Sequence, residues 1–230
     1  MANGRIFCKN TLCNLQKTVY DIGKTFCTEG TIVRNKYLAV LLCILLLIMT
    51  ACGGKDMAQG RWDADTFTNA WAGLQFTLSE GCTALGAEQI RSWTKNDSAM
   101  CNDPAQKMDL SEAGVYYDCI VMLAAPQCSV QIIYENMENL PDMDAAAYAK
   151  VLQTGFAALT AAEYVYVGEK EAIIADQPYA CHTWEVNDAV IQRIYLRRTE
   201  DAMLCITTSC PKEETGVVDA FLATVHAPGK

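Results

Sequence analysis

The stretch Pro178–Ser209 reads PYACHTWEVNDAVIQRIYLRRTEDAMLCITTS. It divides into three strand-like runs, Pro178–Val186, Ala189–Arg198 and Ala202–Ser209, each rich in the branched and aromatic residues that pleated backbone favours. The first two are separated only by Asn187-Asp188, side chains that tolerate the left-handed backbone of a tight hairpin turn. Consecutive strands joined this closely must run antiparallel.

Working outward, a weaker strand, Tyr164–Val167, precedes this block. Downstream, Pro211 is read as the first residue of a final helix whose Val217, Val218, Phe221, Leu222 and Val225 form an inward stripe. Upstream, Val115–Leu123 and Cys128–Asn136 form a hairpin across Ala124–Gln127. Asp142 is placed as the cap of a helix running through Leu159, with Tyr148, Val151, Leu152, Phe156 and Leu159 on one face. Ala87–Lys95 is a short helix with Ile90 and Trp93 inward. Residues 96–113 are polar and read as a loop with about one helical turn. The domain opens with two short strands between Thr66 and Leu78, folded around Ala72-Gly73. Strands in hairpin-linked runs, with helices at the start, middle and end, predict an α+β fold, an antiparallel sheet covered by helices. Its length is ample for a core without metal or disulfide support.

The opening segment, Thr66-Phe67-Thr68-Asn69-Ala70-Trp71-Ala72-Gly73-Leu74 through Ser79-Glu80-Gly81, resembles the start of small lipoproteins of Gram-positive anaerobes. Those proteins carry an aromatic-Thr-Asn…Gly…strand…Pro-Glu-Gly-Trp pattern after a tether and look similar to PsbP/Mog1-like sandwiches. The order of elements continues over most of residues 63–226. Ser79 stands where the pattern has proline, and Cys82 where it has tryptophan. The resemblance implies a fold and brings no active site.

Charge divides the chain sharply. Residues 1–51 carry six basic and two acidic side chains, a net of +4, whereas 52–230 carry 12 basic and 25 acidic, a net of −13. Basic Arg34 and Lys36 precede the apolar run Leu38–Met49, 12 residues long, which suits a signal-peptide core and falls short of the roughly 20 that span a bilayer. Met49-Thr50-Ala51-Cys52 then resembles a bacterial lipobox. That resemblance implies cleavage between Ala51 and Cys52 and diacylglyceryl attachment at Cys52. With about 0.8 kcal/mol per buried methylene, two acyl chains hold firmly where one does not. The expected organisation is a leader and signal peptide at 1–51, a lipidated flexible tether at 52–62 and an exported domain at 63–230. Residues 1–33 form an overlong lead in which Cys8, Cys13 and Cys27 lack zinc spacing. Translation is expected to begin near Val33 from a non-ATG codon.

Seven cysteines remain in the exported part: Cys82, Cys101, Cys119, Cys128, Cys181, Cys205 and Cys210. An odd number with scattered spacing reads as buried thiols rather than a disulfide framework. Candidate chemistry is sparse. His182 adjoins Cys181, but neighbours on a strand point to opposite faces and cannot form a dyad. Cys210, read at a helix start, could have a lowered pKa. His226 falls in the expected fraying end. Asp142, Asp144, Glu213 and Glu214 lack the spacing of a calcium loop and suit helix N-termini. Trp71, beside the first turn, is read as packing, with ligand contact as the alternative. No phosphate loop is present, and a pI near 4.7 argues against nucleic acid.

The expectation is therefore an extracytoplasmic lipoprotein, held to the membrane through Cys52, with a non-enzymatic domain that binds a protein or small molecule. No metal, cofactor or nucleic acid is assigned. The alternative is an envelope enzyme or foldase using His182 or Cys210. An exposed apolar patch would favour the first, and polar groups converging in a cleft the second.

Overall fold

Asn187 and Asp188 do adopt left-handed backbone, with φ of 50° and 55°, and the hairpin they close lies in an eight-stranded sheet. The computed structural model describes residues 57–94, 100–103, 108, 110, 113–199 and 201–229. The signal peptide, Cys52 and the start expected near Val33 lie outside the described residues. In chain order the strands are β1 (Arg61–Asp63), β2 (Thr66–Asn69), β3 (Leu74–Thr77), β4 (Thr83–Ala84), β5 (Met100–Cys101), β6 (Val115–Met122), β7 (Ser129–Asn136), β8 (Tyr164–Ile174), β9 (Gln177–Val186), β10 (Val190–Arg198) and β11 (Ala202–Pro211). The helices are α1 (Ala87–Thr94), α2 (Ala145–Ala157) and α3 (Thr215–Leu222).

The main sheet has the order β4-β6-β7-β11-β10-β9-β8, with β5 beside β6. Its pairs are antiparallel except β5–β6. Strands β1, β2 and β3 form a separate small antiparallel sheet. This small sheet and α3 cover one face of the main sheet, where Phe67, Phe76 and Phe221 pack in one core with Tyr134, Ile206 and Tyr195. On the other face, Ile90 of α1 and Leu152 and Phe156 of α2 pack on Ile133, Cys205, Ile194 and Trp184. The architecture is an α+β sandwich. Burial on both faces explains why β6 reads as a nearly continuous apolar run rather than an alternating one.

Several expectations need correction. The strand expected at Tyr164–Val167 runs to Ile174 and forms a full hairpin with β9. Its turn is Ala175-Asp176, both left-handed at φ of 52° and 61°, and an alanine there gives no signal of that backbone. Helix α2 is capped by Asp144, whose carboxylate accepts from the Ala147 N–H at 2.7 Å. Asp142 instead occupies the preceding turn, in which the Met143 N–H bonds the Leu140 carbonyl. Pro211 ends β11, opposite Val190, and a short 3-10 turn, Lys212–Glu214, intervenes before α3. Within the expected loop 96–113, Met100 and Cys101 pair in parallel with Tyr116 and Tyr117. Arg61 and Trp62, expected in the tether, lie in β1. His226 does not fray: its backbone pairs with Gln75 through bonds of 2.8 and 2.9 Å.

Candidate functional site

The densest polar constellation grows from one residue. Strand β6 is apolar apart from Asp118, which sits where the β6–β7 register shifts between Tyr117 and Cys119. A bulge adds a residue and resets which face each later side chain takes. Thus Tyr116, Cys119 and Val121 share one core while Tyr117 and Ile120 share the other. The buried Asp118 carboxylate accepts from the Gly60 N–H at 2.9 Å and Asn102 Nδ2 at 3.0 Å on Oδ1. On Oδ2 it accepts from Asn69 Nδ2 and the Tyr134 hydroxyl, both at 2.8 Å.

Four donors fill the acceptor capacity of a carboxylate. Burial pushes the Asp118 pKa above the usual range, while bonds from Asn69, Tyr134 and Gly60 oppose that rise. Asn69 also accepts from the Ala72 N–H at 2.9 Å, fixing the β2–β3 turn, and donates to the Ala58 carbonyl at 2.7 Å. Gly60 must be glycine, because a Cβ there would lie 2.3 Å from Phe67 Cζ and 2.7 Å from Asp118 Oδ2. The constellation clamps residues 58–60, the small sheet and β5 onto β6 and β7. A carboxylate saturated by its own fold is placed for stability rather than for turnover.

The second constellation lies at the opposite margin of the main sheet. β8 is its terminal strand, paired only with β9 among the described residues. A bulge falls between Tyr166 and Gly168, and Gly168 takes φ of 153°, a backbone region favouring glycine. Tyr166, Glu169, Glu171 and Ile173 stand opposite Trp184, His182, Ala180 and Pro178, alternate residues of β9, and so share one face. Beneath them Phe156 stacks on Tyr164 at 4.7 Å and meets Trp184 edge-on at 5.0 Å. The large apolar side chains left exposed among the described residues all belong to β8: Val165 at 51%, Tyr166 at 38%, Val167 at 60% and Ile173 at 69%.

His182 is buried behind this margin. Its Nδ1 is 3.1 Å from the Tyr166 hydroxyl and 3.9 Å from Glu169 Oε2, and Nε2 makes no hydrogen bond. Burial lowers its pKa, with the Glu169 carboxylate opposing. The imidazole is therefore a neutral packing partner of Tyr166 and Trp184 near neutral pH.

The residues singled out in the sequence do not converge. Cys181 and His182 point to opposite faces, and Cys181 belongs to the core under the small sheet. Cys210 lies in β11 opposite Ile191, in that same core, with four residues between it and α3. The reading of Cys210 as a helix-start thiol is thus overturned, and the sheet separates it from His182. Six of the seven domain cysteines are buried and Cys82 is partly so. Burial holds the Cys119 and Cys205 thiols well above their ordinary pKa. Asp144 serves as a cap, and among the described residues no three His, Cys, Asp or Glu side chains gather as metal ligands would. Trp71 packs edge-on against Tyr134 at 5.0 Å. Sequence reading missed both the Asp118 clamp and the β8 margin. The signal for the first was a lone carboxylate in an apolar run. For the second it was Val165-Tyr166-Val167 beside charged Glu169-Lys170-Glu171.

No family model matches the chain, and no curated protein matches it. Solved structures do align. Cyanobacterial PsbP (CyanoP) from Synechocystis is 12% identical, with a TM-score of 0.45 over 78% of this chain and 98% of that one. LpqN of Mycobacterium tuberculosis, described as involved in cell envelope biogenesis, is 12% identical, with a TM-score of 0.35 over 67% and 83%. A Pseudomonas aeruginosa protein of unknown function, described as a putative regulator, is 12% identical, with a TM-score of 0.31 over 43% and 70%.

Proposed function

We propose that this chain is an extracytoplasmic lipoprotein, anchored through a diacylated Cys52, whose domain is a non-enzymatic binding module working through the β8 margin. The observation that carries the binding reading is the confinement of exposed large apolar side chains to that one strand. Exposed large apolar side chains are costly to leave in water, and their gathering along one edge strand, on both of its faces, marks a place where another molecule packs. The export reading rests on the basic lead, the short apolar run and Met49-Thr50-Ala51-Cys52. No helix among the described residues is long and apolar enough to cross a membrane, so in this reading attachment depends on the lipid.

Two measurements test it. Cys52→Ser should abolish fatty-acid labelling and release the protein from the membrane fraction. Normal labelling of that variant would remove the anchor from the account. A photocrosslinking residue placed at Val167 in cells should yield discrete adducts, and one at exposed Thr83, on the opposite sheet margin, should not. Equal adducts from both positions, or none from Val167, would contradict docking at β8.

A further inference from the structure

Resting on that docking reading, the structure also identifies the chemistry of what docks. β8 is 11 residues long, and the backbone N–H and C=O groups along its outer side meet no strand among the described residues. Soluble proteins usually blunt such an edge with short length, bulges or charge, because it templates further pairing. Here a bulge at the Tyr166–Gly168 step and the charged Glu169-Lys170-Glu171 guard the edge against indiscriminate pairing, while the ladder continues regularly through Ile174 and leaves room for a partner of matching charge. On one face the order is Tyr166, Glu169, Glu171, Ile173: two carboxylates between apolar side chains.

Both carboxylates are exposed. Glu169 Oε2 lies 3.9 Å from Nδ1 of the buried His182, and among the described residues no Lys or Arg ion pair engages Glu169, Glu171 or exposed Glu163. By contrast, Glu185 and Asp188 nearby are both taken by Lys212. Lys170 stands opposite Cys181 and therefore lies on the other face of the strand. The free margin thus offers an uncompensated acidic centre.

A second copy of the chain does not complement it in the registers that bring the two acidic centres together. Two β8 strands paired antiparallel about a twofold axis keep their faces in common. Centring that axis on Lys170 sets Glu169 against Glu171 and lysine against lysine, and centring it on either glutamate sets that residue against itself. Like charges directly opposite each other destabilise a strand pair. The net charge of −13 over residues 52–230 adds repulsion between copies.

We infer that β8 accepts an extended segment of a basic partner protein as an added strand. That segment presents Lys or Arg opposite Glu169 and Glu171 and apolar side chains opposite Tyr166 and Ile173. Main-chain hydrogen bonds would supply affinity, and the alternating side chains specificity. Opposite charge would also speed encounter in a salt-sensitive way.

The test uses the full chain in neutral detergent micelles, isotopically labelled for amide NMR and titrated with the synthetic peptides TITKTKTIT and TITETETIT. The lysine peptide should shift amides of β8 and bind at least about tenfold more tightly than the glutamate peptide. The exposed double variant Glu169→Lys/Glu171→Lys should reverse that preference. Equal binding of both peptides at β8 would overturn the basic-partner inference while leaving β8 a docking edge. Failure of the lysine peptide to shift β8, with Val167 adducts still formed in cells, would likewise overturn the strand-addition inference alone. Loss of both signals would remove the docking reading itself. Protection of β8 amides by self-association before any peptide is added would assign the edge to a second copy and overturn the inference.

Discussion

At the scale of single residues, the two buried carboxyls Asp118 and Glu135 are held differently. Asp118 is answered by four donors, so removing it leaves the Gly60 N–H and the Tyr134 hydroxyl without that acceptor and Asn69 and Asn102 with their remaining bonds to the Ala58 and Gly60 carbonyls. Leaving a buried neutral donor unpaired costs about 1–3 kcal/mol, and Asp118→Ala should lose at least that much stability in a urea melt. A change below about 1 kcal/mol would mean that water reaches the clamp. Glu135, also buried, has a pKa raised by desolvation and opposed only by a bond from Tyr148. A carboxyl whose folded pKa lies above its unfolded value contributes stability below the unfolded pKa and loses it as pH rises through the folded one. Wild-type protein should therefore lose stability as pH rises above the ordinary carboxylate range, and Glu135→Gln should flatten that decline. Urea midpoints along that rise decide it, and an unchanged slope in the variant would contradict the assignment. Neither role was legible in the sequence. A carboxylate in an apolar run announces that something answers it, but Asn69 and Gly60 reach Asp118 only once the small sheet has folded over β6.

At the scale of elements, most of what was legible came from local chemistry. The Asn187-Asp188 and Ala72-Gly73 turns depend on neighbours in sequence and are present. The α2 stripe is present in Tyr148, Leu152 and Phe156, whereas Val151 is only half-buried and Leu159 lies beyond the helix, which ends at Ala157. Element ends were less legible because they depend on distant pairing. β11 continues through Cys210 and Pro211 only because Ile191 and Val190 lie opposite. β8 continues past Gly168 because β9 folds back on it around Ala175-Asp176. The packing of α2 provides an element-scale test. Phe156 is 1% exposed and wedged between Tyr164 and Trp184, so Phe156→Ala should cost about 3–5 kcal/mol. Calorimetry of the variant should show a clearly lower Tm. An unaltered transition would mean that α2 does not cover the β8–β9 side of the sheet.

At the scale of the molecule, the two margins of the main sheet are finished in different ways. Beside β6 the edge is closed by β4 and β5 and held by the Asp118 clamp, which also ties down residues 58–60, within the stretch 52–62 expected to be a flexible tether. The β8 margin is long, unpaired among the described residues and apolar at both ends of an acidic centre. The main sheet thus has a braced margin and an open one, and this asymmetry is the central structural argument for the proposed binding module. The most direct test is amide hydrogen exchange of the lipidated protein in its native membranes, compared with the same protein purified in detergent. The account predicts that β8 amides exchange markedly more slowly in membranes, where the partner is present, while β4 and β5 exchange alike in both settings. Unchanged exchange along β8, with new protection on another surface, would contradict it.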